Sequence, residues 1–372
     1  MDEKIYKYWI GSIHNLRAKK IEAILEYFTS PKDAYLASYE SMEKMRKICN
    51  EKKIHITSKD VDLIMASKDK EKIIKNYDYL CKHEIDFITK LDDTFPDKLR
   101  HIYDGPFSLY IKGRPFPSDK KSLAIVGARE CSIYGKEIAK HLSGAIAREG
   151  VIVVSGLARG IDSYAHIGAL SVGGNTYGVM GCGIDLCYPR ENIELYMNMQ
   201  NEGGIISEYG PGIKPLAYHF PMRNRIISGL SDGVLVIEAR EKSGSLITVD
   251  MGLDQGKNIY CVPGRITDKL SGGTNNLIKM GAKMVTSPQD ILEDLFSFYH
   301  NDNDAQLKFN GILNEDEQTL YDELGLSPKH IEDLHGSTGL DMGKLMENLL
   351  SLELKDLISQ PMKNYYIRKY ST

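Results

Sequence analysis

The sequence predicts an α/β fold, a doubly wound and mostly parallel sheet, preceded by a helical domain and followed by a winged-helix module. Three observations carry this. Between residue 121 and about residue 295, short apolar runs alternate with helical segments. The runs are apolar throughout, as strands buried on both faces require. The flanking stretches differ in texture: the first is Lys-, Tyr- and Ile-rich with helical periodicity, and the last is short and mostly helical.

Taken in order, residues 1–116 read as the helical domain, loosely of the helix-hairpin-helix kind. Ile21, Ile24, Leu25 and Phe28 share one helix face, and Ser30-Pro31 ends that helix. A strand-like pair follows at 85–88 and 107–111, and Arg114 to Ser118 reads as a linker. Residues 117–298 form the sheet domain, with strands at 123–126, 151–154, 176–180, 204–207, 234–237, 258–262 and 283–286. Alternation with helices implies right-handed βαβ units. His300 to Asp304 reads as an acidic linker. Residues 312–372 carry three helices, at 315–324, 328–334 and 342–352, then short strands at 356–359 and 365–368, the winged-helix pattern.

Composition narrows the function classes. The 372 residues are 42% hydrophobic and 26% charged, as in an ordinary globular chain. No apolar run reaches the ~18 residues of a membrane-spanning helix. The start lacks a signal-peptide pattern, so a cytoplasmic protein is expected. The six cysteines form no CxxC pair and have no histidine cluster beside them. They read as reduced thiols, with no metal site. Formal net charge is −4, so any nucleic-acid surface must be assembled locally by the fold.

The glycines follow the strands. Gly127-Ala128-Arg129 follows the first sheet strand, Ser155-Gly156 with Arg159 the second, and Gly181-Cys182-Gly183 the third. Lys242 precedes Ser243-Gly244-Ser245 after the fifth, and Pro263-Gly264-Arg265 ends the sixth. These are the carboxyl ends of strands in one sheet, where open α/β sheets bind ligands. Glycine lets a backbone approach closely, helices starting after such loops present free N–H groups, and arginine grips phosphate bidentately. Arg129, Arg159 and Arg190 lie in or near these loops, and the set suits an extended polyanion. A turn-making role would explain any single loop.

The segment from His219 to Gly229 adds Phe220, Arg223, Asn224 and Arg225. The two arginines fan out at a helix start in one reading, with Phe220 offered to a base. In the other, they are solvated and the ring is core. His166 reads as structural, pairing with Asp162 one turn earlier. Glu238, Asp250 and Glu208 are the carboxylates nearest the expected site. No Walker A, complete GxGxxG, GxSxG or HExxH motif is present, and no cofactor is expected.

The middle region closely resembles the DprA/Smf family. The resemblance is carried by Ala124 to Arg129, Val154 to Asp162 with Ala165-His166, Gly181 to Asp185 with Tyr188-Pro189 and Asn192, and Ser207 to Tyr209. It continues through Phe220-Pro221, Arg223 to Ile227, Ser243 to Thr248 and Val262 to Gly264. It implies an extended Rossmann-like fold and a dimer that binds single-stranded DNA and loads RecA recombinase onto it during transformation or recombination, without catalysis. It implies phosphate contacts at Arg129 and Arg190 and base stacking at Phe220. Ala128 stands where the family usually has serine, so one hydroxyl donor is missing. The third helix of the last module carries Asp341, Lys344, Glu347 and Glu353. A DNA-reading helix should be basic, so a protein contact or regulatory role is expected there. The rival reading is a Rossmann-type nucleoside-phosphate hydrolase of the LOG type. It would need a carboxylate at the start of the helix after Ser245, where the sequence has Leu246-Ile247-Thr248-Val249.

Overall fold

A computed structural model of the chain describes residues 1–296, 313–325, 328–355 and 357–369. The linker expected at His300 to Asp304 lies outside the described residues.

The amino-terminal helices are α1 (Glu3–Gly11), α2 (Ala18–Phe28), α3 (Pro31–Leu36), α4 (Tyr39–Glu51), α5 (Ser58–Ala66) and α6 (Lys70–Lys82). Local chemistry sets their ends. Ser30 accepts from the Asp33 N–H and Pro31 opens α3, so the dipeptide that ends α2 also starts its successor. Thr57 and Asp60 form a reciprocal capping box on α5. Ile21, Ile24 and Leu25 are buried, as their spacing predicts.

Strand β1 (Ile85–Thr89), helix α7 (Asp97–Arg100) and strand β2 (Ser108–Gly113) follow. Then come β3 (Ser122–Val126), α8 (Ile133–Arg148), β4 (Ile152–Ser155), α9 (Ile161–Ser171) and β5 (Thr176–Met180). Next are α10 (Ile193–Glu202), β6 (Gly203–Ser207), α11 (His219–Leu230), β7 (Gly233–Val236) and α12 (Leu246–Asp254). The domain closes with β8 (Asn258–Cys261), α13 (Gly272–Lys279), β9 (Lys283–Met284) and α14 (Gln289–Phe296).

These strands form one nine-stranded sheet in the order β1-β2-β6-β5-β4-β3-β7-β8-β9. From β6 to β9 neighbours run parallel, as expected. The strand pair expected ahead of a linker is instead built into the sheet: β1 pairs antiparallel with β2, and β2 pairs antiparallel with β6. Residues 114–118 therefore join two parts of one sheet rather than two bodies. The residues pointing from the two faces of β3 show why both faces are apolar. Leu123 and Ile125 pack with α8 and α9, while Ala124 and Val126 pack with α11 and α12. A further core joins the amino-terminal helices to Tyr110 of β2, Ile205 of β6 and Met180 of β5. Each such buried aliphatic side chain contributes roughly 1.5–3 kcal/mol relative to exposure.

The last module comprises α15 (Glu315–Glu323), β10 (Lys329–His330), α16 (Ile331–Thr338), α17 (Met342–Leu354), β11 (Ile358–Met362) and β12 (Tyr365–Arg368), with sheet order β10-β12-β11. The segment read as helix from residue 328 enters α16 through β10, and β11 runs through Gln360-Pro361. Glu317 is buried at the start of α15, and its carboxylate accepts from Lys355 and the Ser351 hydroxyl. Met342, Met346, Leu350 and Leu354 form an exposed apolar line along α17.

Gly160 locks the loops after β3 and β4 together. It has φ +75°, and an added Cβ would lie 2.2 Å from the Ala128 carbonyl oxygen. Next to it the Ile161 N–H donates to that same oxygen at 3.2 Å. Gly160→Ala is expected to cost about 2 kcal/mol or more, through left-handed backbone strain and displacement of the Ala128–Arg129 loop. Urea denaturation checks this, and an unchanged midpoint contradicts it.

Candidate nucleic-acid interface

The strand order reverses between β3 and β7, with β4, β5 and β6 stacked to one side and β8 and β9 to the other. A cleft of about 410 Å³ opens at their carboxyl ends, where a doubly wound sheet has its crevice. The loop after β3 supplies Gly127 and Arg129, and the loop after β7 supplies Arg240, Lys242, Ser243, Gly244 and Ser245. Helix α11 closes the third side with Phe220, Arg223 and Asn224. Arg129, Arg240 and Lys242 are exposed, and none of them forms an ion pair among the described residues.

An aromatic strip runs along the rim. The Arg129 guanidinium carbon lies 5.9 Å from the Phe220 ring centroid, and the Tyr188 ring is 5.6 Å from it on a tilted plane. Phe220 is half-buried and Tyr188 is exposed. Gly181 makes room for Phe220, since a Cβ there would sit 2.9 Å from the ring. Arg190 follows on the same loop, in a single 3-10 turn over Arg190–Asn192, and is exposed.

Helix N-termini after the strands differ in availability. Glu238 is buried and its carboxylate accepts from the Ser132 N–H at 2.9 Å and from the Ser132 hydroxyl, so the chain's own anion occupies the start of α8. That placement also ties up the carboxylate nearest the switch point. Asp162 does the same in α9, accepting from the Gly156 N–H at 3.2 Å. The start of α12 has no acid in its first turn and opens at Ser245. Around it an added Cβ on Gly244 would meet nothing within 4 Å. The Ser243 and Ser245 hydroxyls lie 2.8 Å apart.

Several residues expected in the site lie elsewhere. The Ser155 hydroxyl is buried and donates to the Ile125 carbonyl at 2.6 Å, bracing β4 against β3. The Gly183 N–H donates to the Ile213 carbonyl at 2.7 Å and is spent on the loop after β6. Arg159 is exposed but paired with Glu191 outside the cleft. The two arginines of α11 do not fan out from its start. Two residues apart on a helix they are about 200° apart, and both are buried. Arg223 passes beneath Gly156, whose added Cβ would fall 1.9 Å from its Nη1, and donates to the Val179 carbonyl at 2.7 Å. Arg225 faces away from the cleft and donates to both Glu208 oxygens at 2.7 and 2.8 Å.

Burial dominates the electrostatics beneath the cleft. It lowers Arg223 to about 10, against the opposing pull of Asp162, and it raises Asp162, against the pull of Arg223. His166 pairs with Thr176 instead of Asp162. Its Nδ1 lies 2.6 Å from the Thr176 hydroxyl, which itself donates to the Val153 carbonyl, so the imidazole is the donor. Burial pushes His166 down to about 3. Sequence reasoning missed Arg240 and the exposed face of Tyr188. Arg240 stands two residues before Lys242, and that spacing after a strand end was a usable signal.

A doubly wound domain with an arginine- and glycine-lined crevice at its switch point, followed by a winged helix, defines the class. The profile described as DNA recombination-mediator protein A matches residues 86–296, and that of the DprA winged helix domain matches residues 311–361. The chain belongs to the DprA/Smf family. It is 46% identical over 205 residues to the DNA processing protein DprA of Streptococcus pneumoniae, covering 55% of this chain and 72% of that one. It is 45% identical over 202 residues to DprA of Bacillus subtilis, covering 54% and 68%. The X-ray structure of the Streptococcus pneumoniae protein matches with TM-score 0.59 at 34% identity, over 75% of this chain and 98% of that one. A structure of DNA processing protein A from Helicobacter pylori, concerned with that protein's single-stranded DNA binding mode, matches with TM-score 0.53 at 29% identity, over 58% and 98%. No helix among the described residues is long and apolar enough to cross a membrane.

The depressed His166 sets a pH dependence. Its folded value lies below the ordinary value of about 6.5, so the unfolded chain binds the extra proton first. The neutral imidazole's contribution to stability is complete above about 6.5 and is lost as pH falls toward 3. Urea midpoints measured across that window are expected to fall less steeply for His166→Asn than for the parent. Parallel curves contradict the assignment.

Proposed function

We propose that this protein binds single-stranded DNA through the cleft at the β3/β7 switch point, protects it, and loads RecA recombinase onto it during natural transformation or recombination. The observation that carries the binding step is the trio of exposed, unpaired cations, Arg129, Arg240 and Lys242, around open backbone at Gly244 with Phe220 on the rim. Phosphates meet the cations and the start of α12, while bases stack on Phe220 and Tyr188 and are not read at their edges. Arg190 extends the phosphate track along the Tyr188 loop. The description of the Helicobacter pylori relative names the same ligand.

RecA loading and the cytoplasmic setting follow the family resemblance. So does a homodimer, which the exposed apolar side chains Leu253, Ile266, Met280 and Met284 around the β8–β9 edge also support. The protein acts by binding and not by turnover: the cleft offers phosphate donors, and Glu238 is engaged at α8. The exposed apolar line of α17, with Glu347 and Glu353 beside it, favours a protein contact for the winged helix.

Fluorescence anisotropy with single- and double-stranded oligonucleotides across a salt series tests the reading. Single strands are expected to bind more tightly, with log affinity falling by about 0.7 per phosphate contact for each tenfold rise in salt. Arg129→Glu is expected to remove binding with circular dichroism unchanged. Undiminished binding by a folded Arg129→Glu protein, or a flat salt response, overturns it. Deletion from residue 306 onward is expected to leave single-strand affinity within a few-fold of the parent; a large loss would place the winged helix on the DNA.

A further inference from the structure

Helix α11 has a second hollow on its other side, of about 1080 Å³, between that helix, the loop after β6 and the amino-terminal helices. The single-strand reading does not use it. Arg225 lines it and is 7% exposed. One terminal nitrogen of Arg225 serves Glu208, while its Nε and Nη1 have no hydrogen-bond partner among the described residues, and Nε stands 4.0 Å from Asp104. Beside it the buried His219 leaves Nδ1 without a partner among the described residues. Donors held this way are costly unless an acceptor meets them.

Two further features surround this floor. At the rim, α2 begins at Arg17 with no side-chain cap and no acid in its first turn. Its first N–H groups and positive dipole end suit an anion. Facing it, α6 carries Lys72, Asn76 and Tyr79 at i, i+4 and i+7, one face of the helix, and all three line the hollow. Arg17 and Lys72 are exposed and form no ion pair among the described residues. The walls are aromatic. Tyr209 stacks on His219 with centroids 4.0 Å apart, and Tyr218, 62% exposed, meets His219 edge-on at 4.5 Å.

A flat ring with acceptors on its edge and a phosphate attached satisfies all three features. We propose that this hollow is a second nucleotide site, taking one nucleoside phosphate. The phosphate sits at the start of α2 between Arg17 and Lys72, the base lies against Tyr209 and Tyr218, and its edge faces Arg225. The nucleotide is either free or part of a strand that crosses α11 from the first cleft. Only the strand source rests on the single-strand reading above.

The test uses the full chain, the exposed double variant Arg17→Glu/Lys72→Glu, and Tyr218→Ala as a variant without charge change. Deoxynucleoside monophosphates are titrated by calorimetry, and oligothymidylates of increasing length by anisotropy. If free nucleotide is the ligand, both variants weaken monophosphate binding, the double variant by about tenfold or more. If the strand supplies it, both weaken long oligothymidylates and leave the shortest ones unchanged. Unchanged monophosphate and long-strand affinities in both variants overturn the site. A loss confined to the charge variant also overturns it, as a general field effect. Failure of Arg129→Glu to weaken the shortest oligothymidylates would instead count against the first cleft.

Discussion

Buried carboxylates hold the switch-point loops in place. Glu238 lies at the start of α8 and takes both donors of Ser132, while its backbone carbonyl accepts from the Ala128 N–H at 2.8 Å. One residue thereby ties the loop after β7 to the loop after β3. Asp162 ties the loop after β4 through Gly156 and faces Arg223. A buried charge persists only where donors surround it. These acids therefore fix the geometry of the loops that carry Arg129 and Lys242, and they take up two helix ends that would otherwise attract a phosphate. The start of α12 opens on the cleft without an acid of its own.

Helix α11 acts as a partition. Arg223 and Arg225 occupy opposite sides because two residues rotate a helix by about 200°. One supports the floor of the cleft beneath Gly156, and the other lines the hollow against the amino-terminal helices. The rim residues Phe220 and Tyr218 extend the division outward, one toward each space. The formal charge of −4 is a sum over the whole chain and does not preclude a local cluster of cations, and some cations away from the cleft are neutralised in pairs. Lys20 meets Asp60, Lys98 meets Asp232 and Arg159 meets Glu191, while Arg129, Arg240 and Lys242 around the cleft form no ion pair among the described residues.

The sheet, its parallel run and the winged helix were legible in the residues, because strands buried on both faces must be apolar along their whole length. The loops were legible as loops, because glycines and arginines at strand ends have few other reasons to cluster. Sequence alone therefore determined which strands make up the parallel run, and that their carboxyl edge carries the glycine, arginine and serine loops at Gly127, Arg129 and Ser243 to Ser245. Tertiary structure alone decided which side chains reach that edge. Ser155, Arg225 and Gly183 carry the right groups, but their partners, the carbonyl of Ile125, the carboxylate of Glu208 and the carbonyl of Ile213, come from distant segments. The β1–β2 pair likewise joined the sheet through β6, a strand far along the chain. Local sequence specifies a residue's chemistry, whereas its availability depends on contacts between remote segments that only the packed fold brings together.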